Sequence, residues 1–234
     1  MSIDRRRDPE IIAVISTDVV GSRRLTDRKA FTAAMRAVAA RLNELFAPAL
    51  AERFLYTAGD SIEGALTDPA QAPLCLSVMR ETLAPVHLRA GIGIGPVKQI
   101  GEAGDEGEVS DAGKNAFEIA RQALRLVTRD HGLTRYLGTG DAGDVLLGAI
   151  CRLVDPLILA RTPKQWEAIR AYRSLGHQRE VAALLGVTRQ SIGDRLGAGH
   201  YRAGEEADAA IATFLSHISA CDSPTSEALL CCGV

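Results

Sequence analysis

The sequence predicts an α+β unit followed by a small all-helical unit. Two observations carry this. Short apolar runs alternate with helical patterns up to about residue 138, and only helical patterns follow from about residue 142. The chain has 234 residues, long enough for one large domain or two small ones. The expected divisions are 1–140 for the α+β domain, 141–160 for a connecting helix, 161–220 for a helical domain and 221–234 for a tail.

Ile11-Ile12-Ala13-Val14-Ile15 is a continuous, largely β-branched run, as expected of a strand buried on both faces. That strand ends near Asp18, before the turn-forming Gly21-Ser22. Phe31, Met35, Val38 and Leu42 then recur at helical spacing. Residues 54–57 and 62–66 are two short strand candidates, joined by a hairpin turn through Ala58-Gly59-Asp60-Ser61. A second helix is marked by Ala72, Leu76, Met79 and Leu83 and stopped by Pro85. Residues 86–94 form a strand in which Gly91 and Gly93 imply close backbone approach by a neighbour or a ligand. A polar loop follows, whose acids from Glu102 to Glu108 read as a solvated loop or a lid. Phe117, Ala120, Leu124 and Val127 open a third helix. The order β-α-β-β-α-β is most simply met by a ferredoxin-like core.

In the second region, residues 145–159 read as a connecting helix broken at Pro156. Thr162-Pro163 is an N-cap with proline at the first helical position. Helices through Trp166, over 178–185 and over 188–196 come next, then a last one with Ala207, Ile211, Phe214, Leu215 and Ile218 on one face.

Composition excludes several classes. At 47% apolar and 24% charged residues, the bulk of the chain is neither disordered, collagenous nor coiled coil. A net charge of −2 argues against a wholly basic nucleic-acid coat. No apolar run approaches the roughly 20 residues of a membrane span, and Asp18 interrupts the apolar stretch beginning at Ile11, so no signal-peptide form is present. A cytoplasmic location without a membrane partner is expected. The five cysteines match no zinc or disulfide spacing and read as free thiols. Lipidation of Cys231 and Cys232 has no polybasic neighbour to support it. The five histidines share no metal spacing.

Asp18 closes a buried strand and Asp60 sits at a hairpin tip, so neighbouring strands would bring both carboxylates to one sheet edge. Two acids there repel unless a cation lies between them. Mg²⁺ commonly binds one or two carboxylates together with phosphate oxygens. The backbone N–H groups of Val20, Gly21 and Ser22 stand ready beside Asp18 for a phosphate.

Asp18-Val19-Val20-Gly21-Ser22, then Gly59-Asp60, then Leu88 to Gly95, then Ala120-Arg121, follow in the order and spacing of class III nucleotidyl cyclases, which the chain resembles over roughly residues 10–130. The stretch from Asp18 to Arg23 also resembles the opening of the SatD family of bacterial proteins. The cyclase resemblance implies a nucleotide site, often completed at a homodimer interface, with Mg²⁺ or Mn²⁺ on Asp18 and Asp60. Val19, Val20, Gly21, Ser22, Arg23 and Gly59 would line the nucleotide. Arg121 matches the arginine that stabilises phosphate charge in the transition state. Departures stand at Tyr56, where cyclases carry a base-selecting lysine, and at Phe117, where they carry a ribose-orienting asparagine. These aromatics either stack a base or fill the core. Losing two orienting groups threatens turnover more than binding, and no catalytic residue is expected unless Arg121 acts as one.

Residues 178–198 follow a helix-turn-helix pattern similar to sigma-factor region 4, a resemblance that spans about residues 162–215. Val187, Ile192 and Leu196 would lock the second helix onto the first, leaving Thr188, Arg189, Gln190, Ser191, Asp194 and Arg195 exposed toward a major groove. Eight basic residues stand against three acids between Arg161 and Arg202, an asymmetry suited to phosphate. The leading expectation is a homodimeric, nucleotide-responsive DNA-binding regulator. The alternatives are an active nucleotidyl cyclase and a degenerate protein-interaction module.

Overall fold

The computed structural model describes residues 11–22, 27–57, 59–96 and 115–221, with 219–221 described by backbone alone. Arg23, the Glu102–Glu108 loop, Cys231 and Cys232 lie outside the described residues, as does the side chain of Cys221. The described residues form a mixed α/β structure with a five-stranded sheet and eight α-helices.

Strand β1 (Ile11–Val19) is the central strand, and its apolar continuity follows from being covered on both faces. It pairs antiparallel with β3 (Ser61–Leu66) on one side and with β4 (Leu88–Pro96) on the other. β2 (Leu50–Thr57) lies outside β3, also antiparallel. A fifth strand, β5 (Thr134–Leu137), pairs parallel with β4 and gives the order β2-β3-β1-β4-β5. The sequence pattern does not announce β5. Four residues are too few for a visible alternation, and the strand is held by partners far away in sequence.

Helices α1 (Arg28–Leu45) and α2 (Ala72–Leu83) bury Met35, Leu42, Leu76 and Met79 against one sheet face, with Ala13, Ile15 and Ile92. Helix α3 (Ala116–Arg129) covers the other face through Ala116 and Ala120, against Ile12, Val14 and Ala65. This settles the role of the strand glycines. A Cβ on Gly91 would collide with the backbone of Ala120 and Leu124, and one on Gly93 with the backbone of Ala116 and Ala120. The close neighbour is α3, not a ligand.

Helix α4 (Asp141–Leu159) runs through Pro156 rather than breaking there. Pro156 sits in its last turn, where only one upstream carbonyl loses its partner. The buried Asp155 accepts hydrogen bonds from the backbone N–H groups of Leu133 (2.7 Å) and Thr134 (2.9 Å), which ties α4 to β5. α5 (Pro163–Leu175), α6 (Gln178–Leu185) and α7 (Arg189–Ala198) share a second core of Ala168, Ile169, Val181, Ala182, Ile192 and Leu196. α8 (Tyr201–Cys221) returns to the first core, burying Ile211 and Leu215 there beside Leu147 and Cys151 of α4.

Candidate functional site

Asp18 is the penultimate residue of β1, and its cross-strand partner in β4 is Arg89. Asp60 follows Gly59, whose φ of 125° is a conformation side chains rarely adopt, in the turn between β2 and β3. The sheet brings the two acids together. Their carboxyl groups lie close enough for each to feel the other's charge. Partial burial pushes the Asp18 carboxyl above the usual range, and the neighbouring Asp60 carboxyl pushes it further. Arg89 and the Val19 backbone N–H pull the other way without cancelling these effects. A divalent cation between the two carboxylates would relieve this repulsion. Two carboxylates suit a hard cation that takes its remaining ligands from phosphate and water. Among the described residues no cluster of three or more His, Cys, Asp or Glu could hold a metal unaided.

Asp60 also lines a cavity of about 290 Å³. Ser22 comes to it from the turn after β1, Arg28, Phe31 and Thr32 from the first turns of α1, and Tyr56 and Gly59 from the hairpin. The start of α1 is fixed by Asp27, whose side chain accepts from the Ala30 N–H at 2.9 Å. The cavity therefore has acid on one wall, and an arginine and a helix N-terminus on another. That polarity suits an anion bridged to a cation.

The other expected residues are distributed unevenly. Gly21 has φ 74° and is exposed, so its turn requires glycine. The Val20 N–H donates to the His87 carbonyl at 2.9 Å, which removes it from the expected amide cradle and leaves Gly21 and Ser22. Val19 is buried in the α1/α2-side core. The Tyr56 hydroxyl donates to the Gly59 carbonyl at 2.8 Å, bracing the hairpin turn from the cavity wall. Phe117 packs against the cluster under α3 and is absent from the cavity lining. Arg121 donates from Nε (3.3 Å) and from a terminal nitrogen (2.9 Å) to Glu63, whose carboxylate also accepts from Ser16. It is thus held on the α3 face and does not line the cavity.

Four residues were missed by sequence reasoning, among them Phe31, which the helical spacing marked only as an apolar position of α1. Arg28 and Thr32 lie one turn apart on α1, but nothing in their spacing tells a cavity wall from a solvated face. Arg89 lies inside the Leu88–Gly95 motif, and its pairing with Asp18 needed the strand register.

In the helical region, Gly186 takes φ 63° between α6 and α7, and the Thr188 side chain caps α7 by accepting from the Ser191 N–H at 3.1 Å. Arg189, Gln190 and Asp194 are exposed as expected. Ser191 is half-buried, and so is Arg195, which pairs with Glu167 of α5 at 3.4 Å. Both are less available than the pattern implied, because the third helix of the bundle covers one flank of α7.

A family model described as the SatD family matches residues 11–139, more than half of the chain. The chain belongs to the SatD family. No curated protein matches it. Among solved structures, the regulator of polyketide synthase expression from Bifidobacterium adolescentis is similar at 13% identity and a TM-score of 0.25, over 92% of this chain and 86% of that one. A TM-score that low carries no argument about fold or activity. In this SatD-family chain α4 to α8 lie beyond the matched segment. None of the described helices is long and apolar enough to cross a membrane.

The two parts of this SatD-family chain meet at a polar joint. Arg173 of α5 donates to Glu81 of α2 (2.7 Å) and to Glu205 of α8 (2.6 Å). Ser77 of α2 donates to Asp208 of α8 at 2.6 Å. Burial pushes the carboxyls of Glu81 and Asp208 upward, against the pull of nearby arginines. Beside this joint Trp166 packs with Leu133 and Ile158, and Val20, two residues after Asp18, lies against that cluster. The Arg161 guanidinium covers the Trp166 ring at 4.8 Å.

Proposed function

We propose that the protein is a ligand-responsive, DNA-binding regulator. A nucleotide, bridged by Mg²⁺ or Mn²⁺ to Asp18 and Asp60, occupies the cavity at the start of α1, and α7 enters a major groove. The observation that carries this reading is the path between the two sites. Val20, in the turn after Asp18, packs in one cluster with Trp166 of α5, and α5 supports α7. A ligand that reshapes this turn changes how α5 is seated. It would alter DNA affinity by as much as it favours one seating over the other.

Other features support the reading. The order β2-β3-β1-β4, with antiparallel neighbours throughout, is what a ferredoxin-like, cyclase-like core requires. The α6–Gly186–α7 arrangement, with Arg189 and Gln190 exposed at the start of α7, has the form of a helix-turn-helix. Arg and Gln are the side chains that read guanine and adenine. Two half-sites would call for a homodimer, which the cyclase resemblance also implies. Catalysis is the weaker reading, because Arg121 is engaged by Glu63 of its own chain and Phe117 is packed under α3.

Selection from a random duplex pool tests the proposal, run with and without Mg²⁺ plus a nucleotide panel. The expected result is an enriched sequence whose affinity shifts with one nucleotide. The double variant Arg189→Ala, Gln190→Ala should lose about 1–3 kcal/mol per base contact while keeping its thermal stability. Failure to enrich any sequence in any condition would refute DNA reading.

A further inference from the structure

A larger cavity than the one beside Asp60 lies between α1, α2 and α5. Its volume is about 610 Å³, inside the range of roughly 300–1,000 Å³ typical of small-molecule sites, which favour such junctions. Part of its lining is apolar. Leu45 and Leu74 expose 52% and 47% of their surface there, and Val78 lies beside them. Two arginines stand at its rim, Arg41 from α1 and Arg170 from α5, each exposed and each without a carboxylate partner among the described residues. At its inner end are Glu81 and Arg173, the ion pair that fastens α5 to α2.

We propose that this groove binds a small amphipathic monoanion, a carboxylate carrying an unbranched or aromatic apolar body, at a site separate from the nucleotide cavity. The apolar part of the lining takes the body and gains by removing Leu45 and Leu74 from water. Arg41 and Arg170 hold the carboxylate, and a guanidinium can do so with two parallel hydrogen bonds. Glu81 is already held by Arg173, so the charge left for a ligand is that of Arg41 and Arg170. Because the walls come from both parts of the chain, an occupant fastens α5 to α1 and α2. Binding itself does not rest on the proposed DNA-reading function; only its consequence for α7 does.

The test uses the full chain with decanoate, kept below its micelle concentration, and with the fluorescent sulfonate 1-anilinonaphthalene-8-sulfonate as a reporter. The sulfonate should brighten on binding and be displaced by decanoate but not by decane-1-ol. The thermal midpoint should rise with decanoate concentration, as linkage requires. The double charge reversal Arg41→Glu, Arg170→Glu should weaken decanoate binding at least about tenfold, since two charge-assisted contacts are lost. Leu74→Gln, at an exposed position, should weaken it with both arginines intact. Asp60→Asn should leave it unchanged, which separates this site from the nucleotide cavity. Equal displacement by decanol and decanoate, or unchanged decanoate binding in both the charge-reversed and Leu74→Gln chains, would overturn the proposal.

Discussion

At the scale of single residues, Asp18 has the most consequential environment. Its folded pKa lies above the unfolded value, first because of burial and then because of Asp60. The folded chain therefore binds more protons at this position than the unfolded chain. The stability associated with Asp18 is fully present below the unfolded pKa and is lost as pH rises through the folded value. Asp18→Asn removes that loss. It should raise the thermal midpoint near neutral pH by about 2–4 °C, flatten its pH dependence across the acidic range, and abolish any further rise on adding Mn²⁺. Thermal denaturation across a pH series checks this. A lower midpoint for Asp18→Asn near neutral pH would show that the pair stabilises the apo chain, the reverse of what burial and carboxylate repulsion require. Site residues usually carry such a cost to stability. The two acids were legible in the sequence because one ends an apolar run and the other sits in a glycine hairpin turn. Their proximity, and the entry of Arg89 into their field, depend on register, and no spacing along the chain encodes it.

At the scale of elements, periodicity located β1, β3, β4 and the eight helices. It failed where tertiary pairing decides. β5 has four residues and exists because β4 offers a free edge and Asp155 holds the Leu133 and Thr134 N–H groups from behind. Pro156 looked like a break, yet in the last turn of α4 it disturbs little. The glycines of β4 were recognisable as points of close approach, but the sequence left open whether a helix or a ligand approaches. Two glycine substitutions separate the cases. Gly91→Ala drives a methyl group into the α3 backbone and should cost about 2–4 kcal/mol, at or above the usual range for overpacking. Gly197→Ala, in α7, meets nothing within 4 Å and should stabilise by up to about 1 kcal/mol through helix propensity. Urea denaturation of both variants measures this. Equal effects would mean that α3 is not seated on β4 as described.

At the scale of the whole molecule, the described helical region is packed against the sheet unit at more than one place. α8 follows the α5–α7 bundle, yet Ile211 and Leu215 belong to the core of the sheet unit. Glu81, Arg173 and Glu205 then tie three helices across the joint. Sequence patterning showed the change from mixed to purely helical character. It gave no sign of this return, because an amphipathic helix does not reveal which core its apolar face will join. The joint is polar and partly buried, and breaking such a pair leaves an uncompensated charge.

Ligand control of the helical region requires a phosphorylated molecule held between Asp18, Asp60 and the start of α1. Isothermal titration of the full chain with nucleoside triphosphates in Mn²⁺ tests that most directly. At least one nucleotide should bind with unit stoichiometry, lose affinity as pH falls toward the raised pKa of Asp18, and fail to bind Asp60→Asn. A panel with no heat of binding for any nucleotide, or a nucleotide that binds Asp18→Asn and Asp60→Asn as tightly as the parent, would contradict it.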